Sequence, residues 1–355
     1  MAEQQQLLVN KNDLSDVRWQ ASSTPDLNEG QILVKVTHFA LTANNITYAV
    51  AGESMGYWQF FPTEEGWGRV PVWGFGDVIE SRHPQVEVGQ RLYGYYPAGS
   101  HLVIDAERVN AQGLVDAAPH RAALPKVYNQ YSHAAAQDAS HEAAEMLYRP
   151  LYMTSFVLDD FVSSEQFFGA EQVILTSASS KTSLGLAFLL HQRQQCRVIG
   201  LTSPKNTAFV ESLGCYDEVV EYDQVTTLDP DKATVVVDMA GNGTALAAIH
   251  NHFADQLKYS CLVGATHWDA RAGAREMAGP EPKLFFAPDH IVRRTEEWGG
   301  EGFQQRFQGA WDSFVSAAAD WVQIEQVEGA SAVGDFYLEL LGDRVQPSRG
   351  YILSL

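Results

Sequence analysis

Residues 172–205 constrain the fold more than any other part of the chain. Q-V-I-L-T-S-A-S-S-K-T-S-L-G-L-A-F-L-L starts with an apolar run, Val173, Ile174 and Leu175, and enters a cluster of small residues. Leu184, Ala187, Phe188 and Leu190 then recur at helical spacing. R-V-I-G-L-T-S-P-K, at 197–205, repeats strand and turn. Strand, small-residue turn, helix, strand is a βαβ unit. In such a unit the first turn delivers backbone N–H groups to a pyrophosphate.

The end of the second strand reads Thr202, Ser203, Lys205. An acid there would bind a ribose 2′-OH, whereas hydroxyls with a cation suit a 2′-phosphate. NADPH is therefore the expected cofactor. Its phosphate cradle is expected from Ser177, Ser179, Ser180, Lys181 and Thr182, with Thr202, Ser203 and Lys205 on the 2′-phosphate. Tyr222 is placed beside the adenosine. The turn departs from the usual G-x-G-x-x-G, because serine and alanine stand where glycines are expected and only Gly185 remains. Serine adds a hydroxyl donor but does not sit freely at positive φ. An ordinary buried βαβ unit without a nucleotide stays open at this point.

The rest of the second half alternates strand and helix. Strand-like runs are 173–176, 198–202, 218–221, 234–238 and 260–264, which predicts a doubly wound parallel sheet. Residues 141–161 read as helix interrupted at Pro150, residues 306–322 as a helix, and 276–283 and 296–302 as loops. The first 140 or so residues read as short strands with glycine corners, among them 31–39, 70–81 (broken by Gly74 and Gly76), 86–96 and 101–105. That pattern suggests a small β-barrel. Residues 349–355 read as a terminal strand.

Composition narrows the function. A formal net charge of −20 with no Lys/Arg run argues against nucleic acid and anionic lipid. No apolar run approaches a membrane span, and the first twelve residues lack the apolar core of a signal peptide. The three cysteines, Cys196, Cys215 and Cys261, are far apart, which fits a reducing cytoplasm. His141, Glu142 and Glu145 read as solvated helix surface rather than a metal set, and no G-x-S-x-G elbow marks a hydrolase.

Several landmarks, in order, resemble the medium-chain dehydrogenase/reductase superfamily. They are E-G-Q-I-L-V-K-V at 29–36, V-G-Q-R-L-Y-G at 88–94, K-N-T-A-F-V-E-S-L-G-C-Y-D-E-V-V-E-Y at 205–222, D-M-A-G at 238–241 and G-Y-I-L at 350–353. The chain is most similar to the zinc-free quinone and enoyl reductase branch. The resemblance implies a GroES-like β-barrel domain (1–145 and 322–355) and a Rossmann dinucleotide-binding domain (146–321). It implies a homodimer, a small-molecule substrate, and hydride transfer from NADPH to an activated C=C bond or a carbonyl. Zinc-dependent members carry Gly-His-Glu where this chain has Trp73-Gly74-Phe75-Gly76, and an early cysteine that is missing here. No metal is expected. The family's early active-site segment matches L-T-A-N-N-I-T-Y at 41–48, which nominates Asn45 and Tyr48, with Tyr57 as rival proton donor. Gly264 and Phe286 fall where the family meets the nicotinamide. Capping by Asn, core packing by the aromatic residues, and a non-catalytic NADPH sensor or a scaffold remain alternatives.

Overall fold

The computed structural model describes residues 3–135, 139–263 and 277–355. The chain begins with β1 (Glu3–Asn10), β2 (Asp13–Ser23), β3 (Gln31–Ala40) and the short helix α1 (Ala43–Val50). There follow β4 (Trp67–Gly68), β5 (Pro71–Ser81), β6 (Arg91–Pro97), β7 (His101–Asn110), β8 (Gly113–Asp116) and β9 (Gln130–His133). Helix α2 (Ala139–Ser164) leads to β10 (Gln172–Leu175), α3 (Lys181–Arg193), β11 (Arg197–Thr202), α4 (Thr207–Ser212) and β12 (Glu218–Glu221). Then come β13 (Thr234–Asp238), α5 (Gly243–Phe253), β14 (Leu257–Leu262), β15 (Lys283–Leu284), α6 (Ala287–Trp298) and α7 (Gly300–Ala318). The chain closes with β16 (Gln323–Glu328), α8 (Ala330–Leu341) and β17 (Arg349–Ser354). It divides into two compact units, Met1–Leu147 with Gln323–Leu355, and Tyr148–Val322.

In the first unit, β3, β5, β6, β9, β8 and β7 pair in that order, and β7 pairs back to β3 to close a six-stranded barrel. β17 adds to the open part of β3 at Phe39 and Ala40, and β16 lies parallel to β17. Glycines let this barrel close. A Cβ on Gly74 would lie 2.4 Å from the His38 carbonyl oxygen, and one on Gly94 would lie 2.3 Å from the Tyr131 ring. Both positions are therefore close approaches, and β5 runs unbroken through Gly74 and Gly76 instead of breaking there. The hairpin β1–β2 was not legible as strands; its two edges alternate weakly, and it pairs outside the barrel, with β4.

The second unit holds one parallel sheet, ordered β12-β11-β10-β13-β14-β15. All residues of β10 and β13 are buried, as in sheets covered on both faces. The chain runs outward from β10 to β12 and returns to β13 beside β10. That reversal makes a crevice at the carboxyl ends of β10 and β13, where ligands bind in open α/β sheets. Gly185 on α3 is a packing residue: a Cβ there would meet Ser155 Oγ at 2.7 Å and the Tyr152 ring at 2.9 Å. Two expected interruptions are absent. α2 continues through Pro150, and 296–302 is helix broken only at Gly299, whose φ is +75°. Among the described residues no helix is long and apolar enough to cross a membrane.

Candidate functional site

The β10–α3 turn is built around a buried polar knot. Thr176, the residue after β10, donates its hydroxyl to Asp238 Oδ1 at 2.6 Å and accepts from the Met239 and Ala240 amides at 2.9 and 3.1 Å. The same Asp238 oxygen accepts from the amides of Ala240 and Gly241. Burial raises the Asp238 carboxyl, and its hydrogen bonds, led by Thr176, pull it partly back. The knot ties the ends of β10 and β13 together at the reversal point.

Ser177 follows with φ +49°, a left-handed conformation that serine adopts at a cost. The chain thus makes the bend without the glycine that normally supplies it. Its amide donates to Tyr222 Oη at 2.7 Å, so the Tyr222 hydroxyl lies on the turn itself. Ser179 Oγ accepts from Asn206, and the Ala178 carbonyl accepts from Tyr216 Oη. Ser180 is the N-cap of α3, accepting from the Ser183 amide, and Ser183 Oγ donates to the Thr176 carbonyl at 2.9 Å. Lys181 and Thr182 open α3, and burial lowers the Lys181 amine to about 8. Its Nζ lies 6.0 Å from the centre of the Tyr148 ring.

The structure therefore gathers Ser177, Ser179, Ser180, Lys181, Thr182 and Tyr222 around one turn. One of the expected hydroxyls, that of Ser180, already holds the turn's own shape, together with Ser183. Beyond β11, Ser203 begins a short 3-10 turn and Lys205 stands exposed on it, while Thr202 is buried in the strand end. Thr202 is thus placed as a packing residue rather than beside the exposed Lys205. No acid lies on 202–206, but Glu221, ending β12, accepts from Thr207 at 3.3 Å. Phe286 is the half-buried N-cap residue of α6. Gly264 lies outside the described residues. Sequence reasoning missed Thr176, Asn206 and Tyr216, whose roles depend on partners 27 to 62 residues away.

In the first unit, α1 and the turn after it place Tyr48 and Tyr57 with ring centres 4.5 Å apart. Both belong to a cluster with Phe60, Phe61, Tyr95 and Leu124, with Trp73 and Tyr128 packed against it. Tyr57 and Tyr128 share a hydroxyl contact of 3.4 Å. Burial raises the Tyr48 phenol, and Trp73, Asn44 and Tyr128 beside it partly offset this. Burial likewise raises Tyr57, Tyr95 and Tyr128, and neighbouring phenols add to the shift. All four are neutral donors at neutral pH.

Asn45 stands differently from its neighbour. Its Oδ1 accepts from the Thr42 amide at 2.7 Å and its Nδ2 donates to the Pro71 carbonyl at 2.8 Å. The side chain is spent on the helix cap and on β5 and does not face a ligand. Asn44 is the asparagine beside Tyr48. Glu142 also differs from its expected solvated setting: it forms a two-pronged pair with Arg91 at 2.8 Å on each prong. A recess of about 1110 Å³ in this unit is lined by Asp77, Arg91, His133 and Glu142, and its guanidinium is already held by the two carboxylates. Among the described residues no group of three or more His, Cys, Asp or Glu could hold a metal ion.

Residues 39–346 match the family described as Protein of unknown function (DUF2855). The chain belongs to that family. No curated protein matches the DUF2855 chain in sequence. Solved structures do share its fold. CurA from Vibrio vulnificus in complex with NADPH superposes with TM-score 0.65 at 13% identity, over 99% of both chains. A putative NADPH:quinone reductase from Mesorhizobium loti gives 0.66 at 13%, over 100% of this chain and 99% of that one. A mutant enoyl thioester reductase from Candida tropicalis gives 0.57 at 10%, over 100% of both. The GroES-like barrel and Rossmann sheet expected from the sequence are thus the fold of the DUF2855 chain.

Proposed function

We propose that this chain is an NADPH-dependent oxidoreductase that reduces an activated C=C bond or a carbonyl without zinc. The observation that carries the reading is the turn at the sheet's reversal point. It offers backbone amides, serine hydroxyls and Lys181 at the start of α3, with Lys205 and no acid beyond β11. The left-handed Ser177 gives the turn the bend that a pyrophosphate needs, so the residues present fit the cofactor. Ser177, Ser179, Lys181 and Thr182 would hold the pyrophosphate, Lys205 and Ser203 the 2′-phosphate, and Tyr222 the adenosine end. NADPH, when bound, supplies a hydride.

In the first unit, Tyr48 is the proposed proton donor, through Oη, to the substrate oxygen that gains charge. Asn44 and Tyr128 orient it, and Tyr57 is the rival donor. Neutral buried phenols suit this task, since each keeps its proton until the oxygen becomes basic. The proposal extends to a cytoplasmic homodimer acting on a small molecule, with neither nucleic acid nor membrane as partner.

A binding protein without turnover is the second reading. It is favoured by the engaged state of the turn: the Ser177 amide is held by Tyr222, and Ser180 by its own helix. Titration with NADPH and NADH, followed by cofactor oxidation against enones, enoyl thioesters, quinones and aldehydes, separates the two. NADPH binding with turnover supports the reductase; binding without turnover on any of them supports the second reading. On a confirmed substrate, Tyr48→Phe should slow turnover about 10²-fold. NADPH affinity should hardly change, because the hydroxyl acts in the transition state. Unchanged turnover would transfer the role to Tyr57 or water.

A further inference from the structure

Helix α2 carries a polar group that its surroundings do not use. Tyr148 is 3% exposed, and its hydroxyl is buried without a hydrogen-bond partner. Burial raises this phenol, so it keeps its proton at neutral pH. A buried O–H that bonds nothing has given up water without return. Packing does not explain it, since phenylalanine would meet the Phe314 ring, 5.4 Å away, equally well. The hydroxyl needs an acceptor that the described residues do not supply.

The way α2 meets α3 fixes where Tyr148 stands. From Tyr148 onward α2 belongs to the second unit, as α3 does. Tyr152 and Ser155 close on Gly185, and Ser155 Oγ donates to the Thr182 carbonyl at 2.7 Å. Further along, Asp159 holds Arg193 through two contacts of 2.7 Å. Residue numbers rise together on both helices, so the helices run parallel. Tyr148 is one turn before Tyr152, and Lys181, the first residue of α3, is one turn before Gly185. The phenol is thus level with the N-terminus of α3, and Lys181 Nζ lies 6.0 Å from the centre of its ring.

This end of α3 has the chemistry of an anion site. A helix N-terminus presents amides and the positive end of the dipole. Lys181 adds a cation, and Tyr148 adds a neutral donor. A phosphate accepts at separate oxygens, each about 2.8 Å from its donor, so the amine and the phenol need not touch to share one. The turn itself is short of donors. The Ser177 amide is held by Tyr222, and the Ser180 side chain caps its own helix.

We propose that Tyr148 Oη donates to a diphosphate bound at the start of α3 and replaces a donor that the glycine-free turn spends on itself. The assignment deepens the cofactor reading and rests on it only in making the diphosphate part of NADPH. Tyr148 then binds phosphate whatever the ribose carries, whereas Lys205 reads the 2′-phosphate.

The test is calorimetric titration of the wild type and Tyr148→Phe with inorganic pyrophosphate, NADPH, NADH and adenosine 2′-monophosphate. Tyr148→Phe should weaken the first three about tenfold and leave the last, which has no diphosphate, unchanged. Lys205→Ala should give a different pattern, with losses for NADPH and adenosine 2′-monophosphate alone. Tyr148→Phe should also keep or raise the melting temperature of the free protein, because the hydroxyl it removes bonds nothing there. The subsite is overturned if Tyr148→Phe leaves NADPH and pyrophosphate affinities unchanged, if adenosine 2′-monophosphate weakens equally, or if the free protein melts lower. The two readings fail separately. Pyrophosphate binding that needs Tyr148, with no NADPH binding, would sink the cofactor reading alone. NADPH binding indifferent to Tyr148→Phe would sink the subsite alone.

Discussion

Lys205 stands exposed on the turn after β11, in the place where an acid would select a free ribose hydroxyl. A charge-assisted contact to a 2′-phosphate is worth about 1.5–3 kcal/mol. Lys205→Ala should therefore weaken NADPH about tenfold or more and leave NADH nearly unchanged; equal losses in titrations with both would remove the assignment. Lys181 gives a pH signature. Its amine is lowered to about 8 by burial, and an anionic phosphate favours the ammonium form. Below pH 8 the lysine is already charged. Above it, binding must take up a proton, so NADPH affinity should fall as pH rises through 8. Lys181→Met should bind more weakly at pH 7 and lose that slope, which dissociation constants between pH 6.5 and 9.5 would show. The sequence made these cations legible because no acid competes with them. It hid the state of the serines, because whether a hydroxyl faces a ligand or its own helix depends on geometry. It hid the role of Asn45 in the same way. Asparagine suits a cap as well as a carbonyl, and only the Pro71 and Thr42 contacts decide for the cap.

At the scale of elements, β10 and β13 were readable because strands buried on both faces are written as unbroken apolar runs, V-I-L and V-V-V. The barrel was readable only in outline. Gly74 and Gly76 look like breaks until their cross-strand neighbours His38 and Val34 are known, and those neighbours lie 36 and 42 residues away. The tie between β10 and β13 is the most consequential feature that the pattern concealed. Asp238 Oδ1 takes three donors, from Thr176, Ala240 and Gly241. Asp238→Ala would leave them without that acceptor and should cost about 3 kcal/mol in denaturant unfolding, given about 1–3 kcal/mol for each unsatisfied buried group. Asp238→Asn keeps one acceptor oxygen and removes a buried charge, so its loss at pH 7 should stay below about 1 kcal/mol. The sign with pH follows from the raised carboxyl. The folded protein holds that proton more tightly than the unfolded chain, so the wild-type stabilisation is complete below the ordinary aspartate value near 4 and declines as pH rises through the folded value. The asparagine variant should therefore gain on the wild type between pH 4 and 7. A difference that stays flat across this window would show that Asp238 is not the group responsible.

The whole molecule carries two cores and a net charge of −20, so an anionic cofactor must be held by local geometry against an unfavourable overall charge. Each unit has its own closed hydrogen-bonding scheme, a barrel in one and a parallel sheet in the other. A ligand that binds only the turn between β10 and α3 adds its binding free energy to the unit that contains the turn. At NADPH one hundred times its dissociation constant, that is about 2.7 kcal/mol. Hydrogen exchange should therefore slow at Val173, Ile174 and Val236, in the sheet, by up to about a hundredfold where exchange follows opening of that unit. Val34 and Val36, in the barrel, should change little, and neither set should respond to added zinc or to a chelator. Equal slowing in both units would mean that they open together. Slowing confined to the barrel would place the nucleotide on the wrong unit and would remove the turn, Lys181 and Lys205 as its site.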